Sequence, residues 1–74
     1  MNVINDDHFK KIFSKRLRHT MYIRNITQAE LSRKSGVSQT CISRYVNGMR
    51  TPTGLHISKL AEALKCSVEY LTRE

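Results

Sequence analysis

The stretch TQAELSRKSGVSQTCISRYVNG, from Thr27 to Gly48, limits the possible folds more than any other part of the chain. It is too polar for a buried segment and too regular for a loop. One interior glycine, Gly36, divides it into two short pieces, and each carries its own start signal. Thr27 and Glu30 stand three residues apart. At that spacing the hydroxyl accepts from the amide of Glu30 and the carboxylate accepts from the amide of Thr27. Ser38 caps the second piece, whose apolar face is Ile42, Tyr45 and Val46, and Asn47-Gly48 ends it. Helices this short do not persist alone, so neighbours must hold them. The small Ser32 lets the two backbones approach, and Gly36 is free to take positive φ. Val37, Ile42 and Tyr45 then pin one helix on the other.

The remainder of the chain supplies those neighbours. Phe9, Ile12, Phe13, Leu17 and Met21 recur at spacings of three and four, which predicts a helix from about Asp7 to Ile23. Lys10, Lys11, Lys15, Arg16 and Arg18 cover its other faces, and the three lysines read as a solvated surface. Asn25 suits the left-handed conformation that stops a helix. Pro52-Thr53 opens a fourth helix, with Leu55, Ile57, Leu60, Ala61 and Leu64 on its inner side. Ser67 caps a last short helix holding Val68 and Leu71. No strand alternation occurs. The expectation is an all-α, compact five-helix domain over residues 8–74, preceded by a short arm over residues 1–7.

With 74 residues, one domain is the sensible count, and its core must be tidy to be stable. No apolar run approaches a membrane span, and the N-terminus lacks the pattern of a secretory signal. Cys41 and Cys66 form no CxxC pair and have no histidine at ligand spacing, so neither a metal site nor any other cofactor is expected. Both read as reduced thiols of a cytoplasmic protein. Charge is more informative. The net charge is +7, but from His8 to Lys59 eleven Lys/Arg residues face a single acid, Glu30. A basic field over the body of a small domain favours a polyanionic partner.

Small residue, glycine four later, aliphatic six further and a bulky apolar residue three beyond: this is the spacing of a helix-turn-helix at helices two and three. TQAELSRKSGVSQTCISRYVNGMRTP, followed by KLAEALKCSVEYL, resembles the Cro and phage-repressor type of domain, also called Xre-like or lambda-repressor-like. The resemblance spans roughly Phe9 to Leu71. It implies a five-helix fold that binds double-stranded operator DNA, usually as a homodimer. In that setting helix two crosses the DNA backbone and helix three enters the major groove. Gln39, Thr40, Ser43 and Arg44 are then the base-reading candidates. Gln39 suits adenine, Arg44 guanine, and Thr40 a thymine methyl. Gln28, Ser38, Asn47 and Arg50 are the phosphate candidates.

Two departures from the family pattern matter. The family often pairs an arginine late in helix one with a glutamate before Asn-Gly; here Met21 and Val46 occupy those positions, and they are expected to touch. Gly54 stands where a larger apolar residue is usual, with Leu55 expected to take over its packing. Because the 74 residues end just past helix five, a dimer is expected to use the domain itself, through Val68, Tyr70 and Leu71. A palindromic operator read by a phage, prophage or small bacterial repressor is the leading expectation. The competing one is an antitoxin or anti-repressor-like module that chiefly binds a protein. RNA binding lacks an aromatic platform, and catalysis lacks a nucleophile with a base and an orienting group.

Overall fold

The computed structural model describes residues 6–74. It contains five helices: α1 Asp6–Arg24, α2 Gln28–Ser35, α3 Gln39–Val46, α4 Gly54–Leu64 and α5 Val68–Thr72. No strand occurs among the described residues. The expected arm over residues 1–7 is shortened, because Asp6 and Asp7 form the first turn of α1. Their carboxylates favour that position through the positive end of the helix dipole. Residues 1–5 of the arm lie outside the described residues.

The helix α1 packs on α3 and α5, and α2 packs on α3 and α4. These contacts enclose one core of Phe13, Leu17, Met21, Leu31, Val37, Ile42, Tyr45, Ile57, Leu60, Ala61, Leu64 and Leu71. Phe13 meets the Tyr45 ring edge-on with centroids 5.7 Å apart, which joins the longest helix directly to α3. Two polar residues share the interior: Ser14 and Thr20 are buried on the inner side of α1. The Thr20 hydroxyl donates to the Arg16 carbonyl at 2.7 Å, so its burial leaves no orphan donor.

Two apolar residues face differently from expectation. Leu55 is 63% exposed and does not fill in for Gly54. The inner stripe of α4 is Ile57, Leu60, Ala61 and Leu64, and Leu55 lies about 200° round the helix from Ile57. A Cβ at Gly54 would meet nothing within 4 Å, so that position faces open space as well. Pro52, just ahead of α4, is buried. On α5, Leu71 is fully buried and unavailable to a second copy. Tyr70 is half-buried beneath Arg16, whose guanidinium sits 4.1 Å from the ring centroid and donates through Nε to the Tyr70 carbonyl at 2.8 Å. Arg16 is therefore a packing residue between α1 and α5. Of the three expected dimer residues, Val68 alone remains exposed.

Candidate nucleic-acid interface

The corner between α2 and α3 is built by short-range chemistry. At the start of α2 the Thr27 hydroxyl accepts from the Glu30 amide at 3.1 Å, and the Glu30 carboxylate accepts from the Thr27 amide at 2.9 Å. The backbone bond from Thr27, then its hydroxyl, hold the Glu30 carboxyl below its ordinary pKa of 4.5. At the end of α2, Gly36 takes φ 78° and donates to the Ser32 carbonyl at 2.9 Å. The Ser32 hydroxyl then reaches across the turn to the Val37 carbonyl at 2.7 Å. Ser32 is thus more than small: it closes the corner with a bond of its own.

Helix α3 starts at Ser38, whose hydroxyl accepts from the Cys41 amide at 3.1 Å. Its inner face is fixed by Ile42 and Tyr45, both buried. The Tyr45 hydroxyl and His56 Nδ1 are 2.6 Å apart, which ties α3 to the start of α4. Burial pushes the Tyr45 phenol above its ordinary pKa of 10.0, while the charge of Arg50 offsets part of that shift. Cys41 is half-buried and packs against the core. Cys66 does so too, and burial raises its thiol above the ordinary 9.0. A thiol shifted that way is a poorer nucleophile, which argues for packing rather than redox chemistry.

With the inner face anchored, the opposite side of α3 points outward. Gln39, Thr40 and Arg44 are exposed, and Ser43 is half-exposed. These four, together with Gln28 at the first position of α2, line one open depression. The structure therefore brings all four base-reading candidates and one phosphate candidate onto a single surface. Ser38, Asn47 and Arg50 lie outside that depression and are all exposed. The Asn47 amide nitrogen donates to the Ser43 carbonyl at 2.9 Å, which leaves its second hydrogen for another acceptor.

A polar group on α1 that the sequence did not single out meets the far end of α3. The Ser14 hydroxyl donates to the Val46 carbonyl at 2.6 Å. Arg18 Nη1 donates to the same carbonyl at 2.9 Å and to Ser14 Oγ at 2.7 Å. Met21 and Val46 line one shallow depression together with Arg18. The bonds between α1 and residue 46 are thus made by the two polar side chains. The available signal was Ser14 itself, a polar residue between the apolar positions Phe13 and Leu17 and four before an arginine.

Among the described residues no cluster of His, Cys, Asp or Glu could hold a metal ion. No helix there is long and apolar enough to cross a membrane. The helix-turn-helix family profile matches residues 23–71, which covers α2 to α5 almost in full. Over 61 residues the chain is 33% identical to the HTH-type transcriptional regulator for conjugative element R391 of Providencia rettgeri. The regulators for elements SXT of Vibrio cholerae and pMERPH of Shewanella putrefaciens match equally, at 33% over 61 residues. Each alignment takes in 82% of this chain but 28% of the relative, so the chain corresponds to a minor part of those proteins. The profile match, the five-helix lambda-repressor-like fold and these relatives agree: this chain belongs to the helix-turn-helix family.

Proposed function

We propose that the domain is the sequence-reading part of a transcriptional regulator, with α3 in the major groove of double-stranded DNA. The observation that carries this is the shared outward surface of Gln28, Gln39, Thr40, Ser43 and Arg44. Two of these side chains suit two-pronged contacts: Gln39 to adenine and Arg44 to guanine. Gln28 sits at the start of α2, where free helix amides and the positive dipole end favour a phosphate. Ser38, Asn47 and Arg50, at either end of α3, add backbone contacts that fix position without reading sequence. The relatives named for conjugative elements support a regulator of the kind carried by mobile DNA, and we place its action in the cytoplasm of a bacterial or phage-infected cell. A repressor on a palindromic operator is the specific form we favour. Exposed Met49 and Leu55, just past α3, offer apolar surface for pairing two copies on that site.

Selection of bound duplexes from a random pool tests this, repeated with Gln39→Ala and Arg44→Ala. The expected outcome is a two-fold symmetric site with half-site centres about 34–36 Å apart. Each variant should relax preference at particular bases, by about 1–3 kcal/mol of discrimination. Failure of any sequence to enrich would sink this reading and favour a protein partner such as a toxin or an anti-repressor target.

A further inference from the structure

The last carbonyls of a helix have no intrahelical donor, so each must find one elsewhere. In α3 every one of them does. The Ser43 carbonyl accepts from Asn47, through both its backbone amide at 3.1 Å and its side chain at 2.9 Å. The Arg44 carbonyl accepts from Met49 at 2.8 Å, and the Tyr45 carbonyl from Gly48 at 3.1 Å. Those three donors lie in the same local segment and would follow α3 wherever it tilted. The Val46 carbonyl differs, because its donors are Ser14 and Arg18 on α1.

We propose that Ser14 and Arg18 are positioning residues for sequence reading: by gripping the Val46 carbonyl they set the angle at which Ser43 and Arg44 meet the bases. Three features give the grip rigidity. Ser14 is 4% exposed, so its hydroxyl has no water to turn to. It accepts from Arg18 while donating to Val46, closing a three-membered network whose members restrain one another. Gly48 then brings the chain close against α1: a Cβ there would lie 3.7 Å from the Ser14 Cβ and 4.0 Å from the Lys10 carbonyl. Arg18 also places a positive charge at the negative end of the α3 dipole. Arg44 precedes Val46 by two residues, so a tilt of this last turn moves its guanidinium relative to a base edge. The network lies outside the depression lined by the reading residues, so its effect on reading is exerted through the helix.

This inference rests on the DNA-reading function, and the experiment separates the two. Ser14→Ala, Arg18→Ala and Arg18→Lys are compared with the unaltered protein on its selected site and on a scrambled duplex, across a salt series. The temperature is one at which circular dichroism shows every variant folded. Expected is a loss of about three- to tenfold in the ratio of specific to non-specific affinity for both alanine variants. That loss should fall at the bases that Arg44→Ala also relaxes, with the salt slope unchanged. Arg18→Lys, which keeps the charge but shortens the reach to Val46, should recover part of the ratio.

A structural role alone would lower melting temperature and leave the ratio intact, which overturns the proposal. A direct phosphate contact by Arg18 would reduce the salt slope by about 0.9 and leave Ser14→Ala neutral, which overturns it equally. If the unaltered protein itself selects no sequence, the DNA-reading function fails first and the positioning role falls with it.

Discussion

Three helices end in the same way, and one residue at each end bears the conformational cost. After α1, Asn25 donates to the Tyr22 carbonyl and Ile26 to the Met21 carbonyl. After α3, Gly48 donates to Tyr45 and Met49 to Arg44; after α4, Lys65 donates to Glu62 and Cys66 to Ala61. This paired closure requires a left-handed residue. The φ values are 54° at Asn25, 67° at Gly48 and 57° at Lys65. Asparagine and glycine tolerate that region, whereas a lysine Cβ crowds the following carbonyl by about 1–2 kcal/mol. Lys65→Gly relieves the crowding but gives the unfolded chain more freedom. The net expectation is a gain of about 0.5–1 kcal/mol in urea unfolding. The bond from Arg24 to the Lys65 carbonyl at 3.2 Å survives, since it uses the backbone. Gly36→Ala makes the complementary case. Nothing lies within 4 Å of the added Cβ, so the expected loss of about 1 kcal/mol is backbone strain alone. A stabilised Gly36→Ala or an unaffected Lys65→Gly would show that the left-handed positions bear no strain.

At the scale of the element, helix starts were legible in the sequence. Thr27, Ser38, Thr53 and Ser67 each accept from the amide three residues on, as their positions predict. Only α2 completes the box with a carboxylate, and this gives it a pH signature. Glu30 has its pKa lowered on folding, so its contribution is present above the unfolded value of 4.5. It is lost as pH falls through the lower folded value. Glu30→Gln keeps an acceptor for the Thr27 amide but cannot titrate. Melting temperature followed from neutral pH downward should therefore fall less steeply below pH 4.5 in the variant. Parallel curves would mean that the box is not formed in solution. What the sequence did not reveal were side-chain directions at the ends of short helices. Leu55 and Leu71 both read as apolar helix positions, yet one is 63% exposed and the other fully buried. On the three-turn α4 the helical period itself sets Leu55 about 200° from Ile57, off the inner stripe, whereas the five-residue α5 is too short for periodicity to define a face, and neighbours decide. Arg16 over Tyr70 and Ser14 beneath Val46 escaped the sequence for a different reason. Each is a match between residues more than 30 positions apart, which no local pattern records.

Over the whole molecule, the basic field and the available cations are different quantities. Eleven Lys/Arg residues stand against one acid between His8 and Lys59. Three of these arginines, all on α1, donate to carbonyls of other segments: Arg16 to Tyr70, Arg18 to Val46 and Arg24 to Lys65. A carbonyl does not neutralise a guanidinium, so these charges still add to the long-range attraction that speeds encounter with a polyanion. Arg16 in addition lies half-buried over Tyr70, so its side chain is committed to packing and cannot reach a phosphate without breaking it. Salt dependence at equilibrium counts phosphates neutralised by contact, at about −0.9 in log affinity against log salt for each. It should therefore be set by position rather than by net charge. Arg50→Ala and Arg16→Ala remove the same charge, but only Arg50 is a candidate for the DNA backbone. The expected result is a slope shallower by about 0.9 for Arg50→Ala and unchanged for Arg16→Ala, while both slow association at low salt. Gln28→Ala should weaken binding with no change of slope, because an uncharged contact displaces no counterion. Equal slope changes for the two arginine variants would mean that the protein meets DNA through a diffuse charge cloud, and the face built from α2 and α3 would lose its claim to the duplex.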